Sequence, residues 1–586
     1  MVIKKKNHTD SIQQKKKQSL ISTLIFIGII VLLNIIAQFR FLRFDLTQDK
    51  RYTLGHATKE LLNDLDDQVY IRIYLEGELP AGFRRLKEST KELLDEMRAV
   101  SGKRIDYEFI DPMKDISAKD EEGIYNQLIN EGLEPVNLEV VTKDNKTQKI
   151  IFPGAVVYYK GRSLPIKLLK QQIGVAPDQV LHNSIIGLEY DFVNTIKKLS
   201  ESKRKKIAFI EGHGELNEKE TWDIQKSLEE YYDVSRINLP IYKVGILDSL
   251  DLLIIAKPRS TFSELDKYKI DQFVVRGGKV LWLLEQLQAE IDSLTETGSA
   301  TSIAYDLNLN DMLFKYGIRI NYNLVQDLQC HYIPVLIDMG TPQQDFRPWL
   351  YYPLVFPILN HPIVNNLNAI WFRFASSMDT VGNPRIKKTP LLLSSETSRL
   401  AYNPVQISIL DAHREPNPEL FDKSFQMLSV LVEGSFPSIY KNRLSAETLK
   451  TGEYGEFREQ GKPTKMIFIS DGDVIANQVS KIREQYFPLG YDRFTNQTFG
   501  NKTFVLNAID YLIDDSDILQ LRSKQFKLRL LNSTKVEKEK VKWQIINLVL
   551  PVIFILLFGY IFTFIRKKRF SFISKTQNTY EEKERY

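Results

Sequence analysis

The sequence predicts an α/β protein: two extracytoplasmic α/β domains held between an N-terminal and a C-terminal transmembrane helix. Three observations predict this. Two runs without a charged side chain, Leu20–Phe39 and Trp543–Ile565, are long enough to cross a hydrocarbon core of about 30 Å. Basic clusters flank each run on its terminal side: Lys4–Lys6 and Lys15–Lys17 before the first, Arg566–Arg569 after the second. Lysine and arginine are retained on the cytoplasmic side, so both termini are expected inside and the intervening chain outside. Between the runs, short apolar strands alternate with amphipathic helices, the pattern of sheets covered by helices.

The first run is expected as an uncleaved signal anchor. A cleaved signal peptide is the alternative, but the apolar stretch exceeds the usual h-region of roughly 7–15 residues, and no small-x-small site follows before Arg40. The second run contains Pro551 and Gly559, both common in membrane helices. The expected organisation is a basic tail (1–19), a span (20–39), a small α/β domain (43–175), a helical linker (176–202) and a larger α/β domain (203–515) with an insertion over 290–460. A membrane-proximal linker (516–542), the second span (543–565) and a basic tail (566–586) follow.

Charge and cysteine usage exclude several classes. The chain totals +5, yet residues 1–19 hold six lysines against one aspartate, and residues 566–586 hold seven basic against three acidic side chains. The part between is therefore net negative, and a nucleic-acid surface is not expected. Cys330 is the one cysteine, which removes intramolecular disulfides and cysteine-rich metal sites.

In the small domain, Ala57–Leu65 reads as a helix with Thr53 as its cap, and Gln68–Gly77 alternates as a strand. Phe83 to Gly102 is an amphipathic helix, and KRIDYEFIDP the next strand. A strand–helix–strand unit calls for a parallel pair with a right-handed crossover. Asn137–Thr142 and Ile150–Gly161 are expected to complete the sheet. The order resembles a thioredoxin-like arrangement, without a Cys-x-x-Cys and hence without its redox chemistry. Ser184–Leu199 is a helix ending at the charged break SESKRKK. In the larger domain, Ile207–Ile210, Asp251–Pro258, the strand after Gly277-Gly278 and Lys465–Gln478 are continuous apolar strands separated by helices, the mark of a doubly wound parallel sheet.

Two loops carry candidate ligand-binding chemistry. Glu211-Gly212-His213-Gly214-Glu215 follows a strand at its carboxyl end, where open α/β sheets place ligands. The glycines permit close backbone approach, and His213 with Glu211 or Glu215 has the chemistry of a base or metal ligand; local turn formation is the competing reading. Asp471-Gly472-Asp473 ends another strand, with two carboxylates suited to a cation or to a plain turn. If the loops face each other, they form one pocket. Cys330-His331 lacks the small neighbours of a nucleophile elbow, and Gly455…Gly461-Lys462 has one residue too many and Pro463 where a phosphate loop needs Ser or Thr. Any ATPase is therefore expected on another chain. No cofactor or resident metal is assigned.

Arg43–Leu54 (RFDLTQDKRYTL), YEFIDP, IAFIEGHGE, GGKVLWLLE and ISDGDVIANQ, in this order and closed by a C-terminal span, resemble the gliding-motility-associated ABC-transporter auxiliary (GldG-like) family over nearly the whole chain. That resemblance implies a substrate-binding accessory subunit in the inner membrane, with its large domain in the periplasm, working with a separate ATPase and a multi-span permease. It also implies that the larger domain is flavodoxin-like, similar to the class I glutamine-amidotransferase sheet, but without a cysteine at the elbow and so non-catalytic. Expected contacts are the permease, the ATPase, membrane lipid, and an envelope glycan or protein ligand. The competing hypothesis is an envelope hydrolase or metal-dependent enzyme using Glu211, His213 and the Asp471/Asp473 pair.

Overall fold

The computed structural model describes residues 20–32, 34, 53–114, 121–141, 146–201, 203–338, 341–444, 455–480, 484–514, 517–523 and 533–583. The chain forms two compact units, Met1–Gln525 and Phe526–Tyr586.

Within the first unit a four-stranded sheet comes first. Helix α1 (His56–Asn63) leads to β1 (Val69–Ile73), α2 (Ala81–Val100) and β2 (Ile105–Phe109), and β1 pairs parallel with β2, as a strand–helix–strand unit requires. Gly55, not Thr53, stands at the cap of α1, and its N–H donates to Glu189 Oε1 at 2.7 Å. Helix α3 (Glu121–Asn130) precedes β3 (Val136–Val141) and β4 (Lys146–Ile151), followed by β5 (Gly154–Tyr159) and β6 (Arg162–Lys167). The stretch read as one strand over 150–161 is broken at Pro153, which lacks the N–H a ladder needs. Its first half closes a separate β3–β4 ribbon, so the strand expected at 137–142 does not join the sheet. Its second half, β5, pairs antiparallel with β1, giving the order β2-β1-β5-β6. Helix α4 (Pro177–Ser200), expected as a linker, instead buries Leu188, Phe192, Val193 and Ile196 in the core of this sheet.

The second sheet has nine strands. Strands β7 (Lys206–Glu211), β8 (Asp233–Asn238), β9 (Leu252–Ala256) and β10 (Lys279–Leu283) are parallel, with helix α5 (Trp222–Glu229) after β7 and helix α6 (Glu264–Val275) after β9. The region expected as an insertion supplies β11 (Ile318–Ile320), β14 (Met378–Thr380), β15 (Lys387–Leu393) and β16 (Met427–Ser435) to the same sheet. It also carries a long antiparallel hairpin of β12 (Cys330–Asp338) and β13 (Thr341–Val355). Strand β17 (Pro463–Ile469) pairs parallel with β10 and antiparallel with β16, so it is where the sheet changes from parallel to antiparallel. Helix α7 (Asn501–Ile513) follows.

Alternation along the central strands builds a core on each face. Phe209, Ile254, Leu281 and Ile467 meet Ile224 and Leu228 of α5 and Phe504, Ala508 and Leu512 of α7. Ile210, Ile255, Trp282 and Phe468 meet Tyr268 and Val274 of α6. Burial on both faces is why these strands read as continuous apolar runs. Gly277 (φ +100°) and Gly278 turn α6 into β10, and any Cβ on Gly278 would strike the Phe273 ring at 2.3 Å.

Two contacts join the sheets. Asp510 of α7 accepts hydrogen bonds from Tyr232 Oη (2.7 Å) and from Lys198 Nζ of α4 (2.9 Å), and Asp514 pairs with Lys197. Residues 517–523 then cross to the smaller sheet, where Ile518, Leu519 and Leu521 are buried in its core and Leu521 lies against Gly55. The two ends of the folded body therefore meet at α4.

In the second unit, helix α8 (Ser533–Lys583) runs unbroken through Pro551. Its part Lys538–Lys568 is long and apolar enough to cross a membrane. The apolar helix Leu20–Leu32 is shorter, and the remainder of the span expected to Phe39 lies mostly outside the described residues. Residues 43–52, the start of the expected small domain, and 524–532, within the expected membrane-proximal linker, are outside them as well.

Replacing Asp510 by alanine would strand a largely buried ammonium and a buried phenol. The expected loss is about 2–4 kcal/mol, against about 1 kcal/mol for Tyr232→Phe. Thermal unfolding of the full chain in detergent checks the order of the two effects.

Candidate functional site

Strands β7, β9, β10 and β17 are mutually parallel through adjacent pairings, so their carboxyl ends lie along one edge. The residues that follow are Gly212–Glu215, Lys257–Ser260, Glu285 and Ser470–Asp473. Both loops singled out from the sequence are on this edge, and the segment after β9 joins them. The His213 carbonyl accepts the N–H groups of Arg259 and Ser260, each at 2.8 Å, while the Lys257 side chain reaches Asp473.

The side chains form two groups. In the first, His213 is 2% exposed and its ring stacks on Phe262 with centroids 3.7 Å apart. Nδ1 lies 3.2 Å from Glu215 Oε1, and Nε2 lies 3.3 Å from Asp266 Oδ2. Glu215 also accepts the His213 N–H at 2.7 Å, and Asp266 accepts from Lys269 at 2.9 Å and Ser263 Oγ at 2.7 Å. Every polar atom of the imidazole is thus engaged, and the ring holds the loop to α6. Glu211 does not join this group; it pairs with Arg236 Nε at 2.5 Å. Gly212 (φ +115°) has no room for a side chain beside Pro240, so its conformation and packing both require glycine.

The second group is a buried charge cluster. Carboxylate oxygens of Glu285, Asp471 and Asp473 come within 4.8 Å of one another. The Lys257 ammonium stands among them, 2.9 Å from Asp473 Oδ1 and 3.1 Å from Glu285 Oε1. Arg373, from the segment after β13, closes the far side: its N–H donates to Asp471 Oδ2 at 2.5 Å and its guanidinium to the Asp473 carbonyl at 3.2 Å. Asp471 Oδ1 accepts the Asp473 N–H at 2.7 Å, the turn that aspartate is suited to make. Lys257 has φ +54°, a left-handed backbone that costs a non-glycine residue about 1–3 kcal/mol. Gly472 is needed opposite it, since a Cβ there would lie 2.4 Å from Lys257 Cβ.

Electrostatics divides the carboxylates. Burial raises Glu285 to about 8 against the pull of Lys257, and burial next to Asp473 raises Asp471 to about 7. Burial also works against ionised Asp473, but Arg373 and Lys257 overcome it and hold that carboxyl at about 2. Lys257 is desolvated, yet Asp473 and Glu285 keep its pKa above the usual lysine range. Both Glu285 oxygens lack an aligned hydrogen-bond donor in a side chain 1% exposed; the nearby ammonium attracts them without that alignment. Three carboxylates have the chemistry of a hard-cation site. Here the ammonium supplies that positive charge, and both Asp471 oxygens are taken by backbone N–H groups.

The sequence reading missed Lys257, Glu285, Arg373 and Asp266. A signal existed for two of them: Lys257 and Glu285 each directly end an apolar run, LLIIA and VLWLL, where a charge has to find a buried partner. Arg373 and Asp266 arrive from distant segments and carry no local mark. Cys330 lies on β12 with its thiol pushed up to about 12, chiefly by burial, and His331 Nε2 is 3.0 Å from Asp492 Oδ2 inside an aromatic cluster.

The cluster leads to two expectations. Lys257→Met, which takes the ammonium away from the buried Asp473 carboxylate and from Glu285, should lower stability by about 3–5 kcal/mol; adding Glu285→Gln and Asp473→Asn should recover most of it. The raised Glu285 and Asp471 bind protons in the folded state, so the stability they contribute is full below about pH 4 and is lost as pH rises through about 7–8. Asp473 acts oppositely: its contribution is present above about pH 4 and is lost as pH falls towards 2. Denaturant midpoints from pH 5 to 8 should fall in the native chain and fall less in Glu285→Gln.

Comparison with known proteins gives the following. Residues 204–508 match a family described as an ABC-type uncharacterized transport system, and residues 48–158 match a domain of unknown function. An uncharacterized protein of Borreliella burgdorferi is 23% identical over 537 residues, covering 90% of this chain and 94% of that protein. Among solved structures, the mmIFT52 N-terminal domain aligns with 53% of this chain and 99% of its own at 16% identity, with a TM-score of 0.30.

Proposed function

We propose, from the premise that the chain belongs to the ABC-type uncharacterized transport system auxiliary family, that it is a membrane-anchored accessory subunit of an ABC transport complex in which permease and ATPase are separate chains. The observation that carries this reading is the family match across more than half of the chain. The apolar part of α8 supports a membrane anchor. With the basic clusters retained inside, the body is periplasmic and both tails cytoplasmic.

The finer reading keeps the resemblance noted above: a gliding-motility complex, a small thioredoxin-like sheet, and a larger sheet of the flavodoxin or class I glutamine-amidotransferase kind that binds a ligand and does not catalyse. Supporting the last point, Lys257 and Asp473 pair with each other at the edge where such sheets take ligands, and His213 has both ring nitrogens committed. The hydrolase or metal-enzyme reading is not favoured, since it needs His213 free to exchange a proton.

Affinity purification of the tagged chain from native membranes should recover a multi-span permease and an ATPase in fixed proportion; recovery of neither would count against the proposal. His213→Ala and Asp473→Ala, at normal protein level, should lower stability or ligand binding without removing any hydrolytic activity.

A further inference from the structure

The uncharged stretch Trp543–Ile565 is about 35 Å long at the helical rise, slightly more than a hydrocarbon core of about 30 Å. The helix does not end there. α8 continues to Lys583, so Arg566, Lys567, Lys568 and Arg569 form the next turn of the same rod. With Trp543 at one interface, where tryptophan is favoured, the first of these cations falls in the headgroup layer of the other. Successive helical positions are about 100° apart, so four in a row are distributed around the whole circumference. A surrounding layer of anionic headgroups meets all four whichever way the helix is rotated about its axis.

The other flank of the span is built differently. Lys538, Lys540 and Lys542 are interleaved with Glu537 and Glu539, and Glu539 accepts from Trp543 Nε1 at 3.0 Å. After Arg569, by contrast, the next acidic residue is Glu581, three helical turns away. We propose that Arg566–Arg569 is a binding belt for anionic phospholipid headgroups, which fixes the depth of α8 and selects lipid in one leaflet only. This rests on α8 being a span. The chemistry recognised is a phosphodiester with net negative charge, and the source is membrane lipid.

The test uses the full chain reconstituted in bilayer discs of equimolar phosphatidylglycerol and phosphatidylcholine, then released for counting of retained lipids by native mass spectrometry. Each cation near an anionic surface contributes a factor of roughly five, so phosphatidylglycerol should exceed phosphatidylcholine by about ten-fold or more in low salt and less in high salt. The variant R566Q/K567Q/K568Q/R569Q should retain the two lipids equally, while K538Q/K540Q/K542Q should keep the native ratio. Equal retention by the unmodified chain would overturn the proposal without recourse to any variant, as would a native ratio in the first variant. Carbonate extraction separates the two readings: a chain that resists it but retains lipids equally loses only the belt, and a chain released by it loses the span and the belt together.

Discussion

A parallel sheet buried on both faces leaves its charged residues one place to go, the strand ends. The central residues of β7, β9, β10 and β17 are apolar because each face is covered by helices. The segments leaving their carboxyl ends emerge side by side on one edge. Lys257, Glu285, Asp471 and Asp473 are the residues at which three of these strands give way to loop; Lys257 pairs with Glu285 and Asp473, and Asp471 accepts backbone N–H groups, so charges that end these strands inside the body have partners there. Lys257 has a left-handed backbone there, and Gly472 packs directly against its Cβ.

Helix α7 connects this edge to the rest of the molecule. At its start, Asn501 accepts the Trp371 N–H and donates to the Trp371 carbonyl, two residues from Arg373. At its end, Asp510 and Asp514 hold α4, and the following residues complete the core of the smaller sheet. One rigid element thus spans from the charge cluster to the junction where both ends of the folded body are secured.

His213 and Asp473, the two side chains with the most evident chemical potential in the sequence, are each held between polar neighbours: Glu215 and Asp266 for His213, Lys257 and Arg373 for Asp473.

Much of the architecture was legible in the sequence, for a physical reason: burial on two faces writes an uninterrupted apolar run, and a spanning helix writes a longer one with cations at its border. Those local signatures determined the parallel strands, the helices between them, the apolar part of α8 and the two loops at the sheet edge. Contacts between distant segments leave no such mark. The sequence alone could not say that 150–161 divides between two sheets, that α4 belongs to a core, or that residues 290–460 continue the large sheet. Nor could it say that His213 faces Asp266 and Asp473 faces Lys257. The tertiary structure decided these, because a buried charge takes whichever opposite charge the fold brings within about 3 Å, and that partner can lie anywhere along the chain.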